Sequence, residues 1–345
     1  MKILVVGDVH FCTTSSIVRN RGEVFSARLE NLINTLNWIE NEAVKNDVNA
    51  VIYAGDFFDK SVLTAEELTA LNHIKWADKT HYVLVGNHDA AVADLKYTTS
   101  NALLSIPNFY VISDPTRYEA GYSTDILFLP YYTDKDRMPL SQLMQNDDAD
   151  HCIVISHNDI ANVNYGVFLS KNGYDVEELS KNFKLVLNGH IHNYGIFGSR
   201  KNVVNIGNIT GQNFSEDGFN YNHCITIVDC NTFDITRIEN PFAYYFYKID
   251  INNAVDIDKL STLRDYSVVT IKCREDLLDD VRAVIKDSKK IVASRTIIVP
   301  VDKSDNQVET ASINQIDHIQ QFVEYMRSLY GNNDILEQEL TEVCR

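Results

Sequence analysis

The sequence predicts an α/β (α+β) protein: two packed mixed β-sheets flanked by helices, then a small α/β capping domain and a helical C-terminal tail. Three observations predict it. Short apolar runs alternate with amphipathic stretches through the first 240 residues. Consecutive strand patterns close that region. The character changes near Pro241, and a polar run (DKSDNQVET) follows Pro300. The expected domains are 1–243, 244–301 and 302–345.

The apolar run KILVV opens the chain. It is too short for a signal peptide and Asp8 and His10 follow at once, so it reads as a buried first strand. Phe25, Leu29, Leu32, Leu36, Ile39 and Ala43 recur every three or four residues, the spacing of an amphipathic helix. A strand follows at 50–54, and Thr64-Ala65-Glu66-Glu67 opens the next helix as a capping box. Strands are expected at 81–85, 108–113 and 125–129, with a helix over 94–104. Strands at 151–155 and 184–187 enclose a long irregular stretch. Those at 202–206, 223–228 and 234–238 are separated by turn residues, which suggests an antiparallel return.

Beyond Pro241, strands at 244–252, 266–273 and 294–300 and a helix at 276–287 make a unit too small for a large core of its own. It should pack on the first domain. After the polar linker 302–310, Ile316, Ile319, Val323, Met326 and Tyr330 form an apolar helical stripe. Gly331-Asn332-Asn333 breaks that helix, and Asp334 can cap a second, short one.

Apolar content of 45% and charged content of 23% are ordinary for a globular protein. No run approaches the roughly 20 apolar residues of a membrane span. The six cysteines are irregularly spaced with no C-x-x-C pair, so reduced thiols and a cytoplasmic location are expected. A net charge of −17 argues against a broad, nonspecific grip on nucleic-acid phosphates. The charge is uneven. Residues 244–300 carry 10 basic and 9 acidic side chains, whereas 301–345 carry 3 and 9.

Five blocks carry the chemistry: Asp8-Val9-His10, Gly55-Asp56-Phe57-Phe58-Asp59, Gly86-Asn87-His88-Asp89, Ser156-His157 and Gly189-His190-Ile191-His192. Each ends an apolar strand-like run. Open α/β sheets present ligands at the carboxyl ends of their strands, so the blocks should meet at one edge of one sheet. Singly each is weak, but jointly they hold five of the ten histidines, and four of these can converge with two aspartates and an asparagine. That donor set can hold two divalent ions, as phosphate-ester hydrolysis uses. The other histidines, His73, His81, His151, His223 and His318, lack this setting and read as surface or packing residues.

The set and its order resemble the calcineurin-like metallophosphoesterase superfamily, with its blocks D-x-H, G-D-x-x-D, G-N-H-D, H and G-H-x-H. The resemblance covers about residues 1–240. It implies one metal on Asp8, His10, Asp56 and His192, and a second on Asp56, Asn87, His157 and His190, with Asp56 bridging. His88 would be the histidine that meets the phosphate without binding metal. Imidazole and carboxylate donors suit Mn²⁺ first, with Mg²⁺, Fe²⁺ or Zn²⁺ as other choices, and the lack of a cysteine donor argues against structural zinc. Asp89 either orients His88 or serves as a helix N-terminal carboxylate. Asp59 either supports the ligands from behind or caps a helix.

Within the superfamily, the details resemble the SbcD-like nuclease subunits that pair with an SbcC-like ATPase in DNA repair. The family's G-D-[ILV]-F-D appears as Gly55-Asp56-Phe57-Phe58-Asp59. Its Y-x-G-S…F-x-E is echoed by Val204-Asn205-Ile206-Gly207-Asn208 and Phe214-Ser215-Glu216, with Asn208 in place of Ser. The resemblance implies a DNA exonuclease-endonuclease acting in a bacterial or phage-infected cell, and the length is like that of a minimal, phage-type version. It also implies DNA, the ATPase and a second copy of the chain as partners. Lys286, Lys289, Lys290 and Arg295 in the cap are candidates to guide DNA, and the stripe Ile316–Tyr330 to dock the ATPase. Two rivals stand beside this reading: a phosphodiesterase or protein phosphatase of the same superfamily with another substrate, and an idle scaffold for a DNA-bound ATPase.

The stripe generates a prediction. Ile319→Asp with Val323→Asp in the full chain should abolish co-purification with an SbcC-like ATPase, because two unpaired carboxylates in an apolar interface cost several kcal/mol. Metal binding should be unchanged. Loss of folding or of metal would assign the stripe to the core.

Overall fold

Two six-stranded sheets face each other across a shared core. The computed structural model describes residues 1–300 apart from 14–17, 19, 93, 120–123, 147, 164–168 and 217. Residues 1–300 form one compact unit. The expected linker and the stripe at Ile316, Ile319, Val323, Met326 and Tyr330 lie outside the described residues.

In chain order the first half comprises β1 (Lys2–Val6), α1 (Ala27–Lys45), β2 (Ala50–Tyr53), α2 (Ala65–Leu71), β3 (Thr80–Leu84), β4 (Phe109–Ile112), β5 (Thr116–Glu119), β6 (Asp125–Leu129), α3 (Asp148–His151) and β7 (Cys152–Ser156). Then come β8 (Ile160–Ala161), β9 (Tyr174–Asp175), α4 (Val176–Asn182), β10 (Leu185–Asn188), β11 (Gly195–Phe197), β12 (Val203–Asn205), β13 (Cys224–Asp229) and β14 (Ile235–Glu239). The last part holds β15 (Tyr245–Ile251), β16 (Ser267–Arg274), α5 (Leu278–Asp287) and β17 (Ile291–Val299).

The first sheet runs β14-β13-β1-β2-β3-β4 and the second β11-β12-β10-β7-β6-β5. In the first, β1 to β4 are parallel and β13 and β14 return antiparallel. In the second, β6, β7, β10 and β12 are parallel between antiparallel edges. The five blocks therefore do not share one sheet. β1, β2 and β3 deliver three of them and β7 and β10 deliver two, from the other side of the sandwich.

Alternation along the strands sets this packing, since successive side chains point to opposite faces. Ile3 and Val5 of β1 join Ile52, Phe128, Ile153, Ile155 and Leu187 between the sheets. Leu4 and Val6 face outward onto Leu29, Leu32, Leu36 and Ile39 of α1. Ser26 caps α1 by accepting from Leu29 N, and the capping box at Thr64 and Glu67 starts α2. On the outer face of the second sheet, Val154, Val186 and Val203 pack on Leu179 and Phe183, at α4 and its C-terminal end.

β15, β16 and β17 form a separate three-stranded parallel sheet. One face holds Tyr245, Tyr247, Ile249, Val269 and Ile271 against Leu260, Leu263 and Val281. The other turns Tyr244, Phe246 and Val268 toward Val18 and Phe214. Backbone bonds from Gly211 to Tyr244 O and from Gly218 to Phe246 O stitch the preceding loop to β15.

Three further expectations change. The region 94–104 is not an α-helix: Thr98 and Thr99 hydroxyls donate to the Asp89 carbonyl, and the chain tightens into a 3₁₀ turn only at Thr99–Ser105. The stretch after β7 is not wholly irregular, because Asp175 caps α4 through Glu177 N and Glu178 N. The edge strands β5 and β11 stand where no strand is expected. Only 3–4 residues long and partly exposed, they lack an apolar pattern.

β5 is anchored by charge. Arg117 donates two bonds to the buried carboxylate of Asp148, at 2.8 and 2.9 Å, and one to Asp125 at 3.1 Å. Arg117→Ala would strand Asp148 without a cation, so unfolding free energy should fall by about 3–5 kcal/mol in urea titration. A loss under about 1 kcal/mol would mean that Asp148 stays solvated.

Candidate metal centre

The centre assembles where the parallel strands of both sheets end. Asp8 and His10 follow β1, Asp56 and Asp59 follow β2, and Asn87, His88 and Asp89 follow β3. His157 follows β7, and His190 and His192 follow β10. His10, Asp56 and His190 hold positive φ of 48°, 46° and 42°. Non-glycine residues there are strained, and such strain gathers at functional sites. Gly86 leaves room for the turn at Asp56, since a Cβ on it would lie 2.1 Å from Asp56 Oδ1.

Asp56 sits in the middle. Its Oδ2 is 3.2 Å from His157 Nε2 and 4.0 Å from His10 Nε2, while its Oδ1 accepts from His88 N at 2.8 Å. Burial opposes its charge, but His157, then His10 and His88, hold its pKa below the usual carboxylate range.

On one side, His10 Nε2 and His192 Nε2 face each other at 3.3 Å. His10 Nδ1 lies 3.1 Å from Asp59 Oδ1, and His192 Nδ1 lies 3.3 Å from Glu216 Oε1. Burial works against charge on His192, yet Glu216, with Asp8 and Asp56, raises its pKa. On the other side, His157 Nδ1 is 2.6 Å from the Ala54 carbonyl, which only accepts. That contact, shorter than the 3.1 Å from His190 N to the same nitrogen, places a proton on Nδ1 and turns Nε2 toward the centre, 3.2 Å from Asp56 Oδ2 and 3.3 Å from Asn87 Oδ1. Burial again opposes charge on His157, but Asp56, Asp8 and the Ala54 carbonyl lift its pKa to about 9.

His190 points Nε2 at Asp159 Oδ1, 3.2 Å away, which leaves its buried Nδ1 without a partner. Both carboxylate oxygens of Asp8 are likewise buried without a hydrogen-bond partner. Orphaned acceptors of this kind are costly in a folded chain and fit cations. Ligand bonds of about 2.0–2.2 Å place neighbouring donor atoms roughly 3 Å apart, as several are here. His10, Asp56 and His88 form one group able to hold an ion, and Asp56, His157 and His190 another. A third group, Asp125, Asp148 and His151, has the Arg117 guanidinium in its midst.

His88 differs from the other site histidines. It is exposed, its Nδ1 meets the Asp59 carbonyl at 3.0 Å, and its ring is edge-on to His10 at 4.8 Å between centroids. Asp89 turns both carboxylate oxygens to backbone N–H groups. Its fully buried carboxylate accepts from Phe58 N and Gly86 N, tying the loops after β2 and β3 together. Burial, with Asp56 nearby, raises its pKa to about 7.

Apart from Asp59, the residues behind these side chains are absent from the five sequence blocks. Glu216 is buried and also accepts from Asn208 Nδ2 and Gln212 N. His223, expected only to pack, belongs to this same corner: its Nε2 is 4.0 Å from Glu216, and burial lowers its pKa to about 4. Asn158, Asn188 and Asn205 form a buried amide chain across the ends of β7, β10 and β12. Asn205 Nδ2 then donates to the Ile191 and Asn193 carbonyls, holding the His190–His192 loop. For Asn158 and Asn188 the available signal was their place beside the His157 and His190 blocks; Asn205, Glu216 and His223 stand apart from every block.

A family model for calcineurin-like phosphoesterases matches residues 1–194. The chain belongs to the calcineurin-like phosphoesterase family. Members are metallophosphoesterases, and this phosphoesterase carries candidate ligand clusters for divalent ions. No curated protein matches it. It is similar to the crystal structure of TT1561 of Thermus thermophilus, at 13% identity over 69% of this chain and 98% of that one, with a TM-score of 0.42. A second solved structure has 12% identity with the same coverage and TM-score. Among the described residues no helix is long and apolar enough to cross a membrane.

The cap candidates are spread out. Lys286 and Lys289 are exposed, Lys290 donates to Ser261 O at 3.2 Å, and Arg295 shares a groove with Phe214, two positions from Glu216.

Glu216→Gln should weaken Mn²⁺ binding about ten- to a hundredfold in calorimetric titration, the usual worth of the partner behind a histidine ligand. Unchanged affinity would separate His192 from the metal.

Proposed function

We infer that this phosphoesterase is the nuclease subunit of an SbcCD-type DNA repair complex, hydrolysing phosphodiesters with two divalent ions, Mn²⁺ first among them. Asp8, His10, Asp56 and His192 would hold one ion, and Asp56, Asn87, His157 and His190 the other. The observation that carries the reading is the exposed His88 at the rim of these donors, its Nδ1 on the Asp59 carbonyl and its ring edge-on to His10. When bound, such ions polarise the phosphoryl oxygens and activate water.

The chain's own residues do the rest. Asp59 O fixes the Nδ1 side of His88, so Nε2 is left to give a proton or positive charge to the leaving oxygen. Glu216, Asp159 and the Ala54 carbonyl set which nitrogen each ligand histidine turns inward. The stretch that resembles the SbcD-like branch supports the nuclease reading, because Phe214 contacts the cap while Glu216 orients His192. The cap therefore borders the site, where it can shape a groove for a nucleic-acid chain. An ATPase partner, a homodimer and a cytoplasmic location belong to the same proposal.

The net charge of −17 favours a second reading, a small or protein-borne phosphoester as substrate. Assays with Mn²⁺ on single-stranded and frayed DNA, on an aryl phosphodiester and on a phosphomonoester separate the two. DNA cleavage above monoesterase activity is expected. Monoesterase activity with no DNA cleavage would reject the nuclease. His88→Ala should keep metal and DNA binding but lose about 10²–10⁴ in turnover. Wild-type turnover in that variant would remove His88 from the chemistry.

A further inference from the structure

A cavity of about 270 Å³ opens directly beside Asn87, on the side of the centre where His157 and His190 lie. Its lining is aliphatic from the loop after β3, with Ala91 and Leu95, and aromatic from the loop after β6, with Tyr131 and Tyr132. Tyr131 also packs against the His190 ring, 5.6 Å between centroids, so the aromatic lining continues into the centre. The two loops are set independently. Ala91 N bonds Tyr97 O in the loop after β3, while Tyr131 N bonds Val85 O and the Tyr132 hydroxyl bonds Ser113 O.

The lining selects the occupant. None of its residues is cationic, and its one charged side chain is Asp136, whose carboxylate accepts from the Thr133 hydroxyl at 2.8 Å. A phosphate or a second carboxylate would be repelled there. A neutral planar ring would be stacked by tyrosine and covered by aliphatic carbon. Amino groups on such a ring would find the Asp136 carboxylate as acceptor. The volume lies just under the range of ordinary small-molecule pockets, so it suits one ring system and not a chain.

We propose that this cavity holds the nucleobase adjoining the scissile phosphate, unstacked from its strand, so that cleavage favours single-stranded or frayed ends. The proposal rests on the phosphodiesterase reading above and names a specificity element for it: Tyr131 supplies the stacking face, and Ala91 and Leu95 the cover. The base fixes the phosphate's approach to the centre from the Asn87 side.

Two measurements test it. Mn²⁺-loaded full-length protein is given single-stranded oligonucleotides with either a normal base or an abasic residue at the nucleotide next to the cleaved bond. The wild type should prefer the base by about tenfold in kcat/KM, the size of one stacking contact. In Ala91→Trp, an exposed position where the indole would fill the cavity, that ratio should fall to about one. Separately, 2-aminopurine deoxynucleoside monophosphate is titrated into both proteins. Its fluorescence should be quenched by the wild type and about tenfold more weakly by Ala91→Trp. Cleavage that ignores the abasic residue, or equal quenching by both proteins, overturns the proposal and leaves the nuclease reading standing. Quenching lost in Ala91→Trp from a protein that cleaves no oligonucleotide sustains the cavity assignment and sinks the nuclease reading instead.

Discussion

The Asp8 carboxylate is the constraint on which the rest depends. It is buried at the end of the central strand β1, and neither oxygen has a hydrogen-bond partner. An ionised carboxylate in that state costs several kcal/mol unless positive charge meets it. Within the protein the compensation comes from imidazoles: His157 Nδ1 lies 3.6 Å from Asp8, and its pKa is lifted to about 9. Divalent cations compensate the same charge better, and they leave the histidines neutral as ligands must be. The site is thus a negative, imidazole-rich cavity whose stability and metal affinity share one cause.

Holding that charge in place consumes much of the local architecture. Asp56 and His190 are forced to positive φ at the tips of strands from opposite sheets. Glycines at 55, 86 and 189 stand where any side chain would strike His157, Asp56 or the Ala54 carbonyl. Asp89 knots the loops after β2 and β3, and the Asn158–Asn188–Asn205 chain does the same for the second sheet. An apolar core joins the two sheets face to face, so their loops can meet at one end of the sandwich.

Much of this was legible in the sequence, for reasons that differ by element. The strands next to the blocks were readable because buried parallel strands are continuous apolar runs, as in AVIY and CIVIS. That the five blocks would gather was readable because each follows an apolar strand pattern and carries the residue types metal chemistry uses. Which sheet each strand joined was not, because strand order depends on long-range pairing that leaves no local mark. α4 was hidden by its seven-residue length, and the 3₁₀ turn at Thr99 by threonine hydroxyls that outcompete helix hydrogen bonds. Glu216, Asp159 and His223 act through other side chains, and such partners have no fixed spacing from the residues they orient.

The proposed sharing of Asp56 by two ions has a direct magnetic test. The metal-free chain is titrated with Mn²⁺ and followed by electron paramagnetic resonance. Two Mn²⁺ per chain with a spin-coupled signal are expected, because a single carboxylate joins ions roughly 3.5–4 Å apart. Asp56→Asn should lose that coupling. One ion per chain, or two with uncoupled signals, would contradict the shared carboxylate.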